Sequence, residues 1–174
     1  YVSVVMPFYN RENWVDWAVG SVLRSAIPIA MEIEIIAVDN GSTDRTVERL
    51  RRHAVRVVEC KERGPGAARN AGIAAARGEI IVFIDSDCLC ESDCLIRLIR
   101  PFLDPEMQIT GGNIIGLFED NFVATFTHKV GILNNRRFFE GSGYFPRFFA
   151  TACAAYRRSS LQKVGGFDNS LWMS

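Results

Sequence analysis

The stretch "IIVFIDSDCLC" (residues 80–90) decides how this chain is read, because five apolar residues run straight into Asp85-Ser86-Asp87. A short, mostly β-branched run without polar alternation fits a strand buried on both faces. A turn at Ser86 is expected to bring the two carboxylates together at its end. Close carboxylates repel, and a bound Mg²⁺ or Mn²⁺ relieves the repulsion while holding substrate phosphates. Three readings stand open on these residues alone: a metal site for a phosphorylated substrate, a nucleophilic aspartate, and a polar turn without chemistry.

Outward from this stretch the pattern repeats. "VSVVM" (2–6), "IEIIAV" (33–38) and "VRVVEC" (55–60) read as strands, and "EIIVFI" (79–84) is the fourth. Helical spacing separates them. Trp14, Trp17, Ala18, Ser21, Val22 and Ser25 mark a first helix that Pro28 bars from continuing, and "DNGSTD" (39–44) is a turn-and-cap cluster feeding a helix through Leu50. Pro65 suits the first turn of a third helix and Gly78 its stop. That helix, "AARNAGIAAAR" (67–77), is rich in Ala and Gly and so able to lie close on a sheet. Strands alternating with helices predict an α/β fold, a mainly parallel central sheet flanked by helices in one Rossmann-like domain over residues 1–174. Residues 1–90 carry the regular alternation, and residues 91–174 form a less regular second half. In that second half, residues 94–103 keep helical spacing interrupted by Pro101, "QITGGNIIG" (108–116) and "ATACAAY" (150–156) are strand candidates, and "RRSSLQKV" (157–164) is a short helix.

Composition narrows the functional classes. The chain has 174 residues, 48% apolar and 23% charged, with 20 basic and 20 acidic side chains. That balance gives no reason to propose nucleic acid as a partner. Basic residues do concentrate late: Lys129, Arg136, Arg137, Arg147, Arg157 and Arg158 face a single acid, Glu140. Such a run is a solvated surface, an anion pocket, or a face for peripheral contact with acidic lipid. No apolar run approaches the roughly 20 residues of a membrane span. Five cysteines in a chain able to build its own core indicate free thiols and a reducing, cytoplasmic setting. The C-x-C-x3-C spacing of Cys88, Cys90 and Cys94 is not a usual zinc pattern, so these read as small buried residues. Tyr1 enters a strand almost at once, which reads as a fragment.

Ligands of open parallel sheets sit outside the carboxyl ends of the strands. On one rim this gathers residues 7–11, Asp39-Asn40, the Gly-rich turn 61–66, and Asp85-Ser86-Asp87. Hydrogen-bonding groups, cations, backbone N–H groups and two carboxylates are the set a nucleoside diphosphate requires. Tyr9, beside Asn10 and Arg11, either packs in the core or stacks on a base. Asp39 either caps the next helix or reads a base, Arg69 is a surface residue or reaches back to the ligand, and Asp168 of "GGFD" orders the site's edge. Competing motifs fail: Arg69 stands where G-x-G-x-x-G needs its third glycine, no G-x-x-x-x-G-K-[ST] loop exists, and "EGSGY" lacks nucleophile-elbow spacing.

Four segments together, "VSVVMPFYNRE", "EIIAVDNGSTDRT", "GPGAARNAGIAAARGEIIVFIDSDC" and "AYRRSSLQKVGGFDNSL", resemble inverting glycosyltransferases of family 2 with the GT-A fold. They occur in that family's order and leave only about residues 91–149 uncovered. The resemblance implies a nucleotide-sugar donor, usually a UDP-sugar, a divalent Mn²⁺ or Mg²⁺, and a saccharide, lipid-linked or other hydroxyl acceptor. It implies work in the cytoplasm, at the cytoplasmic face of a membrane when the acceptor is lipid-linked. By the same resemblance Pro7, Tyr9 and Arg11 line the nucleoside, Asp39 and Asn40 read the base, and Asp85 and Asp87 are the ribose and metal aspartates, with the metal on Asp87 and Asp85. Asn10, Arg69 and Ser86 are further donor-site candidates from their place on the rim. Gly111, Gly112, Arg157 and residues 145–149 are candidates for the acceptor side. Asn40 replaces a common aspartate, and an Asn carbonyl still accepts from a pyrimidine N–H. The family's Glu-Asp general base is expected beyond Ser174. Two rival readings remain: a haloacid-dehalogenase-like phosphatase using an aspartate nucleophile, and a non-catalytic nucleotide-sugar-binding module.

Overall fold

The computed structural model describes residues 1–27, 31–115 and 150–170. Pro28, the basic residues from Lys129 to Arg147, the acceptor candidates 145–149 and the segment 171–174 lie outside the described residues. Six strands form one sheet in the order β3-β2-β1-β4-β6-β5: β1 (Val2–Phe8), β2 (Ile33–Asp39), β3 (Arg56–Glu59), β4 (Ile80–Ile84), β5 (Ile109–Gly111) and β6 (Cys153–Arg157). The first four run parallel, while β6 pairs antiparallel with both β4 and β5. Helices α1 (Val15–Arg24), α2 (Thr46–Leu50) and α3 (Pro65–Ala75) make the crossovers that parallel pairing demands. Helix α4 (Cys94–Ile99) passes into a 3₁₀ turn (Arg100–Leu103) where Pro101 denies it an N–H, and α5 (Arg158–Val164) ends at Gly165 in the left-handed region, φ 80°.

Burial runs through β1, β2 and β4 almost without alternation, because helices cover both faces there, while β3 at the sheet edge is half-buried to exposed. Val2, Val4, Met6, Val82 and Ile84 pack with α1 and α4, and Val5, Ile36, Val38, Ile81 and Phe83 pack with α3 and α5. The second layer is thin at α3. A Cβ on Gly72 would lie 2.2 Å from Val5 Cγ1, so only glycine allows the helix this close to β1.

The structure sharpens the helix readings. The buried stripe of α1 is Val15, Ala18, Val19 and Val22, while Trp14 is 38% and Trp17 65% exposed. Small residues fit between α1 and the sheet and indoles do not. Helix α1 also stops at Ser25, before Pro28, where the backbone turns extended and the Ser25 hydroxyl accepts from Leu95 N–H at 3.1 Å. Likewise α3 ends at Ala75. Gly78 serves contact instead, since a Cβ there would stand 2.6 Å from the Ser3 nitrogen.

Candidate donor-binding site

Parallel register places Phe8, Asp39 and Glu59 side by side, and Ile84 closes β4 on the same rim. The chain leaves each strand into a loop tied to its neighbour. Asn10 takes a positive φ of 49°, which Asn tolerates better than most residues. Its N–H donates to Ser42 Oγ at 3.0 Å, and its Oδ1 accepts from Thr43 N–H at 2.8 Å. Arg11 N–H donates to Thr46 Oγ1 and Glu12 N–H to Asp44 Oδ2. The cluster read from sequence as a helix cap therefore also stitches the first loop to the second. Burial alone would raise the Asp44 pKa, but donors from Thr46 and Glu12 outweigh it and hold the carboxyl below its ordinary range.

Asp39 accepts from the N–H groups of Gly41 and Ser42 at 3.2 Å and is 5% exposed, so it organises the turn after β2. Asn40 is engaged more fully: its amide donates to the carbonyls of Glu62 (2.6 Å) and Cys60 (3.4 Å), and its Oδ1 accepts from Gly64 N–H at 2.9 Å. Both side-chain donors hold the loop after β3, which leaves Asn40 only acceptor capacity toward a ligand.

The Asp85-Ser86-Asp87 segment forms a turn, closed by Cys88 N–H donating to Asp85 O at 3.0 Å, and Asp85 N–H donates to Ala152 O ahead of β6. Each carboxylate faces a cation. Arg69 Nη2, from α3, lies 2.8 Å from Asp85 Oδ1, and Arg11 Nη2 lies 3.6 Å from Asp87 Oδ2. Arg69 is largely sheltered, stacks over the Phe167 ring at 5.7 Å, and keeps a buried Nε without a partner among the described residues. Asn70 holds that ring in place by exchanging hydrogen bonds with both backbone groups of Phe167. Asp168 accepts from Ser170, as a turn residue at the site's edge.

Pro7, Tyr9, Arg11, Asn40, Arg69, Asp85, Ser86 and Asp87 thus line one open cleft of about 340 Å³, with Arg63 and Gly64 opposite Tyr9. Asn10 and Asp39 hold the loops at its edge through hydrogen bonds to residues 41–43. Arg63 was not foreseen, because an exposed arginine in a Gly-rich turn carries no motif. Among the described residues no group of three or more His, Cys, Asp and Glu side chains is gathered to hold an ion. Two hard carboxylates beside an open cleft suit Mg²⁺ or Mn²⁺, which take one or two protein carboxylates and fill their shell with phosphate and water. The thiols that follow divide: hydrogen bonding with Cys153 and Cys90 lowers the Cys94 pKa. Burial, then the charges of Asp87 and Asp85, pushes Cys88 up to about 12, while hydrogen bonding to Cys94 and burial raise Cys90 and Cys153.

The acceptor candidates fall elsewhere. Gly111 belongs to β5, and Gly112 passes so close to Cys153 that a Cβ would lie 2.3 Å from its Sγ, which accounts for the glycine by packing. Arg157 pairs with Ile80 at the start of β4, the opposite end of the sheet from Asp85. Its guanidinium donates to the carbonyls of Met107, Phe102 and Asp104, and this geometry removes it from the candidate acceptor face.

Comparison with known proteins places the chain in a family. The chain is 28% identical over 185 residues to the minor teichoic acid biosynthesis protein GgaA of Bacillus subtilis, covering 97% of this chain and 40% of that one. It is 34% identical over 123 residues to a poly(ribitol-phosphate) beta-glucosyltransferase of Bacillus spizizenii, covering 67% of this chain and 19% of that one. The chain thus spans less than half the length of these relatives. Among solved structures it resembles the mannosyltransferase PcManGT from Pyrobaculum calidifontis in complex with GDP-Man and Mn²⁺, with a TM-score of 0.75 and 25% identity over 98% of this chain and 48% of that one. It also resembles the Mycobacterium tuberculosis glucosyl-3-phosphoglycerate synthase in complex with Mn²⁺, UDP and phosphoglyceric acid, with a TM-score of 0.64 and 27% identity over 92% of this chain and 56% of that one. The sequence profile described as "Glycosyl transferase family 2" matches residues 3–165, and the chain belongs to that family, with the α/β architecture of its GT-A members.

Proposed function

We propose that this chain is the donor-binding part of a metal-assisted glycosyltransferase that takes a nucleotide-sugar, a UDP-sugar first, and passes the sugar to an acceptor hydroxyl with inversion. One observation carries the reading: Asp85 and Asp87 end a buried parallel strand in a cleft shared with Arg11, Arg69 and Tyr9. The Mn²⁺-bearing complexes of PcManGT with GDP-Man and of the synthase with UDP support the choice of ligand class. A divalent ion held by Asp87 and Asp85 supplies positive charge to the leaving diphosphate. Arg69 fixes the Asp85 carboxylate, Arg11 stands ready to exchange Asp87 for a phosphate oxygen, and Tyr9 offers its ring to the base. Asp39 keeps unused lone pairs with which to accept from a base N–H. A saccharide or lipid-linked hydroxyl acceptor, and a place at the cytoplasmic face of a membrane, belong to the same proposal. The five free thiols support a reducing setting.

A thermal-shift screen of UDP-, GDP- and dTDP-sugars with and without Mn²⁺ tests the donor site. Ligand at about 100 times its dissociation constant adds about 2.7 kcal/mol. A shift that requires both nucleotide and metal supports the reading, and no shift with any nucleotide sinks it. Binding of a nucleotide-sugar without transfer to any offered acceptor would favour a non-catalytic module.

A further inference from the structure

Resting on the donor-site reading, we infer that Arg63 is a specificity-determining residue, the second wall of the nucleobase seat. Its guanidinium carbon stands 5.1 Å from the centre of the Tyr9 ring, and an added Cβ on Gly41 would lie 3.8 Å from the guanidinium. The guanidinium thus bridges the loops after β1 and β2, across the part of the cleft lined by Tyr9 and Asn40. It has no carboxylate partner among the described residues, whereas Arg11 and Arg69 each face one. Its loop is anchored beneath it: Asn40 holds the carbonyl of Glu62 and the N–H of Gly64, on either side of Arg63.

A base and a guanidinium compete for the same aromatic face, but they also stack on one another. Tyr9, 46% exposed, presents one broad surface to the cleft. A planar base entering there lifts the guanidinium from the ring by about one stacking thickness, a movement four side-chain torsions absorb without shifting the loop. The base then lies between the phenol and the guanidinium. The guanidinium charge over the edge of the stacked ring favours the electron-rich exocyclic carbonyls that uracil and guanine share. Such a seat favours these bases over adenine, whose exocyclic group is a donor.

The test compares Arg63→Ala and Arg63→Lys with the parent protein by calorimetry, using UDP, GDP, ADP and inorganic pyrophosphate, each with Mn²⁺. Loss of one stacking wall is expected to weaken UDP and GDP about tenfold. Pyrophosphate affinity stays unchanged, the preference over ADP shrinks, and lysine, lacking the planar fork, does not rescue. Equal loss for UDP and pyrophosphate would make Arg63 a phosphate contact and overturn the inference. Unchanged or tighter UDP binding by Arg63→Ala, or full rescue by lysine, would overturn it as well. A parent protein that binds neither UDP nor GDP refutes the donor-site reading itself, an outcome distinct from these.

Discussion

Gly72→Ala adds one methyl where α3 lies closest to the sheet, and its consequence should reach the donor site. The new Cβ falls 2.2 Å from Val5 Cγ1 and 3.3 Å from Val38 Cγ2, against an ordinary carbon contact of about 3.5–4.0 Å. Val5 is fully buried, so the strain is relieved chiefly by moving the helix outward. Overpacking of this severity costs about 3 kcal/mol, while alanine gains about 1 kcal/mol over glycine in a helix interior, leaving a net loss of about 2 kcal/mol. Val5→Ala alone opens a cavity costing about 2 kcal/mol. In the double variant the new methyl occupies that cavity, and the loss should be about 1 kcal/mol where simple addition gives about 4. Urea denaturation of the four proteins measures the coupling. Because α3 carries Arg69, 2.8 Å from Asp85, UDP affinity with Mn²⁺ should fall in Gly72→Ala and recover in the double variant. Additive losses, or a Gly72→Ala protein as stable as the parent, would refute the close-packing argument.

Other outcomes follow from single groups. Burial works to raise the Glu34 pKa, but Ser3 Oγ and Arg77 N–H, each donating at 2.7 Å, and the Arg77 charge outweigh it and hold the carboxyl below its ordinary range. The folded pKa being depressed, this stabilisation is present above about pH 4.5 and fades as pH falls through the folded value, so Glu34→Gln should flatten that part of the acid-unfolding curve. Asn40→Ala strands the Gly64 N–H and Glu62 carbonyl and should cost about 2 kcal/mol in urea denaturation, together with weaker UDP binding as the Arg63 loop loosens. Cys88, pushed up to about 12, should resist iodoacetamide at pH 8 in the folded protein and react on unfolding, as peptide mass spectrometry would show.

The sequence carried the sheet because its strands are buried on both faces, and uninterrupted β-branched runs such as residues 80–84 have few other uses. The rim followed from topology, since parallel strands bring their carboxyl ends together whatever the loops do. Side-chain commitments were less legible. The Ser and Asp residues of "DNGSTD" signalled turns and caps, but only the fold puts Ser42 and Asp44 against the loop at residues 10–12. Asn40 read as a ligand contact; it lines the cleft, and its donors also hold a loop 20 or more residues away in sequence, which no local pattern announces. Arg157 depended on the antiparallel register of β6, which no local pattern encodes. The outward tryptophans of α1 show that large apolar residues at helical spacing do not identify the buried face when the space beneath admits only Ala and Val.

Manganese binding in the presence of UDP, followed by the loss of the free Mn²⁺ signal in electron paramagnetic resonance, tests the central claim most directly. The account predicts that UDP promotes Mn²⁺ uptake by the parent protein and that Asp87→Asn abolishes this uptake while leaving the unfolding midpoint in place, because Asp87 is exposed and, among the described residues, makes a long pair with Arg11 and a weak 4.0 Å contact with the Cys88 thiol. Mn²⁺ uptake that ignores UDP, or that survives unchanged in Asp87→Asn, would contradict it.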